Sequence, residues 1–449
     1  MIDFRNCFFE TTLEEHSNLE QLLEKFKSDK YVVLLDSSLK SKKLGRYSIV
    51  GVKPILCLQG SLNNFEVMNY SDLKMKFNTK RNSFFEVQRE ILRSLPKFTN
   101  SLNCPFNFGF LGYFGYEFLN NSTKKNFLEV PDAFFMIPSE VYILDNWMKK
   151  AQKIVLKGFE LKEEKYLQSK CKQKDLKIDD ELTYTEYKRD FNYLKERIVE
   201  GDIYEACLTY KIFIDGQIEP LITYNKLRNG NKAPFASFLK ISDQYILGSS
   251  PERFLCKRDS IVEMRPIKGT IKRGENIEED KLLRNKLKSS LKDKAENVMI
   301  VDLIRNDLGR VSKFGSVKVD KLFSIEKYAS LFQMVSIISS ELEKGKDVFD
   351  VLKATFPGGS MTGAPKIRAM AYLDLLEKTK RGVYSGCMGY IDINGDADFN
   401  IVIRTLIYDA KRQKGYLQVG GAIVYDSIVE EEFSESKLKA KKILEILRK

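Results

Sequence analysis

Runs rich in aromatic and β-branched residues recur along the whole chain, and no regular alternation with helices separates them. In the second half they fall at 204–214, 235–239, 245–248, 260–266, 386–393, 400–408 and 415–425. In the first half, 31–60 alternates strand-like and turn-like stretches, as do 104–118 and 133–145, with Gly109, Gly112 and Gly115 punctuating the second block. Helical spacing is confined to a few windows. Tyr187, Phe191, Leu194 and Ile198 recur at three- and four-residue intervals between 184 and 200, and further helices are expected at 297–308, 365–377 and 427–447. Successive strands with only occasional helices imply an α+β fold built on large antiparallel sheets. No internal repeat is visible.

The 449 residues suffice for one large domain or two to three ordinary ones. A hydrophobic share of 43% against 30% charged residues is that of a globular protein. The charged, apolar-poor stretch 151–180 reads as a variable surface segment or linker, which divides the chain into 1–150, 151–180 and 181–449. No run approaches the length of a membrane span. The opening residues carry Asp3, Glu10, Glu14 and Glu15 and lack the pattern of a secretory leader. Cysteines 7, 57, 104, 171, 207, 256 and 387 are scattered, with no C-x-x-C pair, as expected for reduced thiols in a cytoplasmic protein without a zinc site.

The net charge of +12 comes with no RNP, helix-turn-helix or zinc-finger signature. It reads as a lysine-rich solvated surface with a mild bias toward anionic ligands, not as a nucleic-acid interface. His16 is the only histidine, so acid, base and nucleophile are expected from Glu, Asp, Lys, Tyr, Cys or Ser.

Polar residues crowd the second half in places where folding alone does not require them. Glu252, in SPERF, and Lys268, in RPIKGT, each lie close to a proline at the edge of an apolar strand. Arg265, Lys272 and Arg273 flank Lys268, and such a positive field is expected to lower its pKa toward the neutral amine a nucleophile needs. Glu252 is a candidate general acid/base beside it; a surface ion pair is the alternative. The segment from Lys294 to Asp307 is apolar nearly all round and is expected to be a buried helix, in which Glu296 sits at the polar entry as a ligand candidate. At the C-terminus, Ser427 and Glu430 have the spacing of a capping box. Glu432 and Glu435 share a face of the helix that follows. Neighbouring carboxylates suit a hard cation such as Mg²⁺, or else form a solvated acidic face. Finally, the loop FPGGSMTGAPK, with Ser360, Thr362 and Gly363, runs into a helix with Pro365 at its first turn. That is a candidate anion site or a plain tight turn; it is not a Walker A loop.

Taken in order, these segments resemble the chorismate-utilising enzymes, and most closely the aminodeoxychorismate synthase component I branch, whose sibling is anthranilate synthase component I. LLDSS and LGRYSIVG at 34–51 carry the resemblance in the first part. GDIYEACLT, SPERF, RPIKGT, KDKAENVMIVDLIRND, FPGGSMTGAPKIRAM, RGVYSGCMGYID, NIVIRT and GGAIVYDS carry it from about 182 to the end. The resemblance implies a β-sandwich-like core with surrounding helices. It implies Mg²⁺ held by Glu296 and Glu435, with Glu432 beside them, and substrate contacts from Tyr384, Arg404, Gly420 and Gly421, with Ser360, Thr362 and Gly363 nearby.

Lys268 stands where anthranilate synthases have alanine, which implies attack of its amine on chorismate and amination at C4 to 4-amino-4-deoxychorismate, on the way to 4-aminobenzoate and folate. Gln333 replaces a histidine tied to pyruvate loss, and Glu205 replaces the water-activating lysine of isochorismate and salicylate synthases. Ala422 and Val429 depart from the common pattern of a glycine and a proline. No G-x-C-x-G elbow is present, so a separate glutaminase subunit is the expected source of ammonia. Ser37, in LLDSS, marks a possible tryptophan effector site.

Overall fold

The computed structural model describes residues 2–448 except 16–17, 40–43, 78, 80, 121, 163–165, 167–173 and 329–330, with only the backbone at 14–15. The expectations for His16 and Cys171 lie outside the described residues.

Two long strands, Tyr47–Gly60 and Ala133–Asp145, pair antiparallel along nearly their whole length, from Tyr47 opposite Asp145 to Gly60 opposite Ala133. The register shifts between Pro54 and Leu56, where Lys53 takes φ 53°. A local bulge of this kind bends a strand and increases its twist, and here the two halves of the pair enter different branches of sheet. One branch continues from the first half of Tyr47–Gly60 through Tyr31–Asp36, Phe235–Ile241, Gln244–Ser250, Thr405–Asp409 and Lys414–Ile423 to Glu205–Asp215. The other continues from the first half of Ala133–Asp145 through Gly109–Phe114, Cys387–Asp392, Ala397–Ile401, Arg253–Arg258 and Ile261–Met264 to Leu331–Glu341. Strands from the first 150 residues therefore form the middle of the sheet, and strands from the last 270 extend it on either side. All of the ladders are antiparallel, and the fold is α+β.

The alternation of side chains along the first branch explains the layers. Val33, Ile246 and Ile407 point into a core shared with Phe114, Leu255, Val262 and Phe399 of the second branch. Their neighbours Leu34, Leu247 and Leu406 point the other way, into a second core closed by helices through Leu23, Tyr187, Leu194, Leu227 and Ile443. A strand buried on both faces reads as a continuous apolar run, which is how VVLLD and YILG appear in the sequence. Within the inner core, the ring of Phe114 lies 4.4 Å from Phe135, 4.8 Å from Phe118 and 5.4 Å from Phe85 between centroids.

Several expectations shift. The run 400–408 is not one strand: Ala397–Ile401 and Thr405–Asp409 are separated by a break at which Arg404 takes φ 51°. The stretch expected to be a linker opens with strand Lys150–Lys157, which pairs with Phe8–Glu15 and with Ala133–Asp145 and buries Ala151, Ile154 and Leu156. Its lysines project outward, so composition alone hid the alternation. The helix expected at 297–308 runs over Leu291–Gly309 and is buried on one face only: Ile300, Val301, Ile304 and Leu308 are buried, whereas Asp302 and Arg305 pair with each other in solvent. The capping box is absent. The C-terminal helix is Val429–Leu447, with Ile428 at its cap; Ser427 donates to Glu432, and Glu430 accepts from Tyr184. Glu430 is taken by a distant tyrosine and Ser427 by a carboxylate further along the same helix, so neither closes the box.

Cysteines 7, 104, 207, 256 and 387 are free thiols. None of the described helices is long and apolar enough to cross a membrane. Because Phe114 packs against Phe135, Phe399 and the helix Phe84–Ser94, Phe114→Ala is expected to cost about 3–5 kcal/mol of stability. A denaturant midpoint equal to that of the wild type would contradict this account of the core.

Candidate active site

A cavity of about 750 Å³ opens between the end of strand Lys414–Ile423, the irregular strand Ile267–Lys272 and the facing helices Leu291–Gly309 and Val429–Leu447. This volume suits a small metabolite. Lys268, Glu252, Ser360, Tyr384, Arg404, Gly420, Gly421, Glu296, Glu432 and Glu435 all line it, and so does Gln333. Thr362 and Gly363 do not. The Thr362 hydroxyl donates to the carbonyls of Gly358 and Gly359, and Gly363 pairs with Ala206 in a short strand, where a Cβ would lie 2.1 Å from the Glu205 carbonyl. That strand separates the loop from helix Lys366–Leu376, whose first turn does not line the cavity either. Ser37 does not line the cavity; it is buried and donates to the Leu39 carbonyl at 3.0 Å.

Lys268 occupies a register irregularity between Ile267 and Thr270, and the next residue, Gly269, takes φ +84°. Its side chain is buried, with Nζ 2.7 Å from Glu205 Oε1 and 3.8 Å from Glu296 Oε2. The expectation of a lowered lysine pKa is overturned. Burial pushes it down, but Glu205 and Glu296 outweigh burial and raise it, so the resting side chain is an ammonium. Two of the three flanking cations are engaged by other carboxylates, Arg265 by Glu326 at 2.6 Å and Arg273 by Asp280, while Lys272 lines the cavity. Glu205 had counted only as an argument against other reactions. It proves to be the nearest partner of Lys268, and its Oε2 is buried with no hydrogen-bond partner among the described residues.

Glu252 sits in the two-residue connection between strands Gln244–Ser250 and Arg253–Arg258. It accepts from Ser360 Oγ at 3.1 Å and from the Ile267 N–H at 3.4 Å. Burial pushes its pKa up to about 7, against the pull of Ser360, Lys268 and Arg404. It is thus poised to give or take a proton near neutrality. Arg404 has a left-handed backbone and lines the cavity; its carbonyl accepts from the Ser249 N–H, its guanidinium has no hydrogen-bond partner among the described residues, and burial lowers its pKa while Glu252 raises it. An unpaired guanidinium in a cavity wall is a ready carboxylate receptor.

Opposite lies an acidic wall. Glu432 accepts from Lys292 at 3.2 Å and from Ser427 at 2.8 Å, and Glu435 pairs with Lys439 at 2.9 Å while remaining 56% exposed. Glu296 is raised to about 7, first by burial and then by Glu205 and Glu432, although Lys268 and Lys292 oppose the rise. Gly421 lets the strand pass close to this wall, since a Cβ there would lie 3.2 Å from Glu432 Oε2. Among the described residues no three Asp, Glu, His or Cys side chains converge on one point as a cage for a metal. The set offered is hard-oxygen ligands from two facing helices. This fits a cation such as Mg²⁺ that takes one or two protein carboxylates and completes its shell with water and an anionic substrate.

A buried ammonium, a proton-sharing carboxyl, an unpaired guanidinium and a cation-seeking wall around one cavity define an enzyme for a small polyanionic acid. The description "chorismate binding enzyme" matches residues 54–445, and the chain belongs to that family. It is 33% identical over 474 residues to anthranilate synthase component 1 of Acetivibrio thermocellus, covering 97% of this chain and 94% of that protein. It is 32% identical over 450 residues to aminodeoxychorismate synthase component 1 of Bacillus subtilis (strain 168), covering 95% and 94%. The crystal structure of anthranilate synthase component I from Streptococcus pneumoniae TIGR4 superposes with a TM-score of 0.73 at 27% identity, covering 90% of this chain and 93% of that one.

The Glu252 carboxyl is expected to be neutral below about pH 7 and ionised above it. Carboxyl-carbon NMR checks this: the resonance that titrates near neutrality and disappears in Glu252→Gln should be this group. A Glu252 midpoint near the ordinary value of about 4.3 would contradict the burial argument.

Proposed function

We propose that this protein is component I of an aminodeoxychorismate synthase, which converts chorismate and ammonia to 4-amino-4-deoxychorismate. The observation that carries the reading is the Lys268 amine at the cavity wall, 2.7 Å from Glu205, with Glu252 in the same cavity. Lys268 first gives its ammonium proton to Glu205. The free amine then attacks C2 of the chorismate ring, the two ring double bonds shift, and the C4 hydroxyl departs as water with a proton from Glu252. Ammonia adds at C4, the double bonds shift back, and the C2–N bond breaks to return the lysine amine. The pyruvyl ether is untouched throughout, in keeping with a glutamine, Gln333, rather than a histidine in the wall. Splitting one difficult displacement into two is the gain from the covalent step.

Arg404 and Tyr384 hold substrate carboxylates in this reading. Glu296 and Glu435, with Glu432 beside them, would hold Mg²⁺, which would supply positive charge for the ring carboxylate. Ammonium is not nucleophilic, and ammonia is scarce at neutral pH. A separate glutaminase subunit therefore delivers it, in the cytoplasm, where the free thiols stay reduced.

The second reading is anthranilate synthase component I, favoured by a relative of that name at 33% identity. Incubation with chorismate, Mg²⁺ and an ammonium salt separates the two. A product that a lyase converts to 4-aminobenzoate supports the proposal; fluorescent anthranilate with released pyruvate overturns it. Lys268→Ala should lose the mass adduct that the wild type forms with chorismate, and an adduct that persists would place the nucleophile elsewhere. Glu435→Gln should raise the Mg²⁺ concentration needed for half-maximal rate about tenfold or more. An unchanged requirement removes Glu435 from the metal site.

A further inference from the structure

Beneath the cavity floor lies a guanidinium that no step above uses. Arg381 is fully buried, with its charged end over the ring of Tyr116 at 4.4 Å. Arginine offers five N–H donors in a rigid fork, and here every one is engaged. Nε donates to Glu377 Oε2 at 2.9 Å, and Nη2 to Glu377 Oε1 at 2.7 Å and to the Cys207 carbonyl at 2.8 Å. Nη1 donates to the Met361 carbonyl at 2.6 Å and to Ser385 Oγ at 3.2 Å.

The acceptors come from three stretches of chain, around 207, 361 and 377–385, and Cys207, Met361 and the Tyr384 that precedes Ser385 line the cavity. Cys207 lies two residues beyond Glu205 and itself lines the cavity. Met361 follows Ser360 in the loop that holds Glu252. Ser385 follows Tyr384 and takes φ 63°, a backbone state that costs a non-glycine residue and persists only where its surroundings enforce it. Glu377 extends the connection to a further wall: its Oε1 accepts from Thr209 Oγ1 at 2.7 Å, and Thr209 Oγ1 accepts from Gln418 Nε2 at 2.9 Å. Gln418 lines the cavity as well.

We infer that the Arg381–Glu377 pair is the positioning unit of the substrate cavity, fixing the strand that carries Glu205, the Ser360 loop, the Tyr384 turn and the Gln418 strand in one geometry. The pair touches no substrate and acts through the segments it joins. Its charge is incidental to catalysis; the fork is what matters, because a lysine at this site keeps the charge with fewer donors radiating from a point. Displacements of about 1 Å in a wall cost roughly 100-fold in rate or affinity, so loosening the fork should be visible in kinetics before it is visible in folding. The inference rests on chorismate being what the cavity takes, and it holds for either product.

The test is chorismate consumption, followed by loss of its absorbance and normalised to protein that melts cooperatively by circular dichroism. Arg381→Lys should raise KM for chorismate about tenfold or more per folded molecule, with a smaller change in kcat. Ser385→Ala removes one acceptor only; it should raise KM several-fold while its melting temperature stays within a few degrees of the wild type. A purely structural arginine would lower the melting temperature and leave the KM of the folded fraction unchanged, and that result in Arg381→Lys overturns the inference. If Arg381→Lys does not fold, Ser385→Ala decides, and a wild-type KM there overturns it equally. A wild-type protein that leaves chorismate intact overturns the substrate reading and this inference together.

Discussion

The ladder between Tyr47–Gly60 and Ala133–Asp145 is the element on which the molecule depends. Its two halves belong to different branches of sheet, and the shift at Pro54–Leu56 is where they part. Each backbone group along it must be paired, because both faces are covered and a buried orphan is costly. The ladder therefore cannot slip without also moving the strands that flank it on either side. Through it, residues near the start of the chain set the separation of strands that carry the cavity some 300 residues later. Gly109–Phe114, for instance, pairs with Cys387–Asp392, just beyond Tyr384.

The cavity is electrostatically tense by construction. Glu205, Glu296, Glu432 and Glu435 are gathered at one side, and Lys268, Lys292 and Lys439 answer them. Burying a charge without a partner is expensive, whereas a paired and hydrogen-bonded one is tolerated. The lysines hold the acidic side chains in place in the resting protein. Opposite, Arg404 and Glu252, whose carboxyl pKa is pushed up by burial, lack such partners of opposite charge in direct contact, and that asymmetry gives the cavity a direction: cation-seeking on one side, anion-seeking on the other.

Much of the fold was legible because apolar alternation survives at single-residue resolution. The strands around 235–250 and 386–393 and the helix from Tyr184 fall where the pattern puts them. The misses share a cause. Lys150–Lys157 was hidden by lysines on its outer face, the break at Arg404 by a strand-like run that continues on both sides of it, and the Ser427–Glu430 box by a distant tyrosine and a nearby carboxylate that take its side chains. Local pattern carries no information about which distant group will compete for a side chain. The candidate site was legible as a set of residue types at ordered positions, and Lys268 and Glu252 stood out from their settings. Glu205 did not, since its sequence neighbours give no reason to expect a buried carboxylate against Lys268, and neither did Arg381.

The sequence by itself determined the α+β class and the family, because periodicity and ordered motifs are written along the chain. It also determined which side chains were available for chemistry, with histidine nearly absent. Tertiary structure decided their states. Lys268 was expected to be neutral among cations and is instead an ammonium between carboxylates, because arginines adjacent in sequence turned away to other partners while Glu205 and Glu296, distant in sequence, came within reach. Charge states follow distances through space, and those exist only once the sheets have closed.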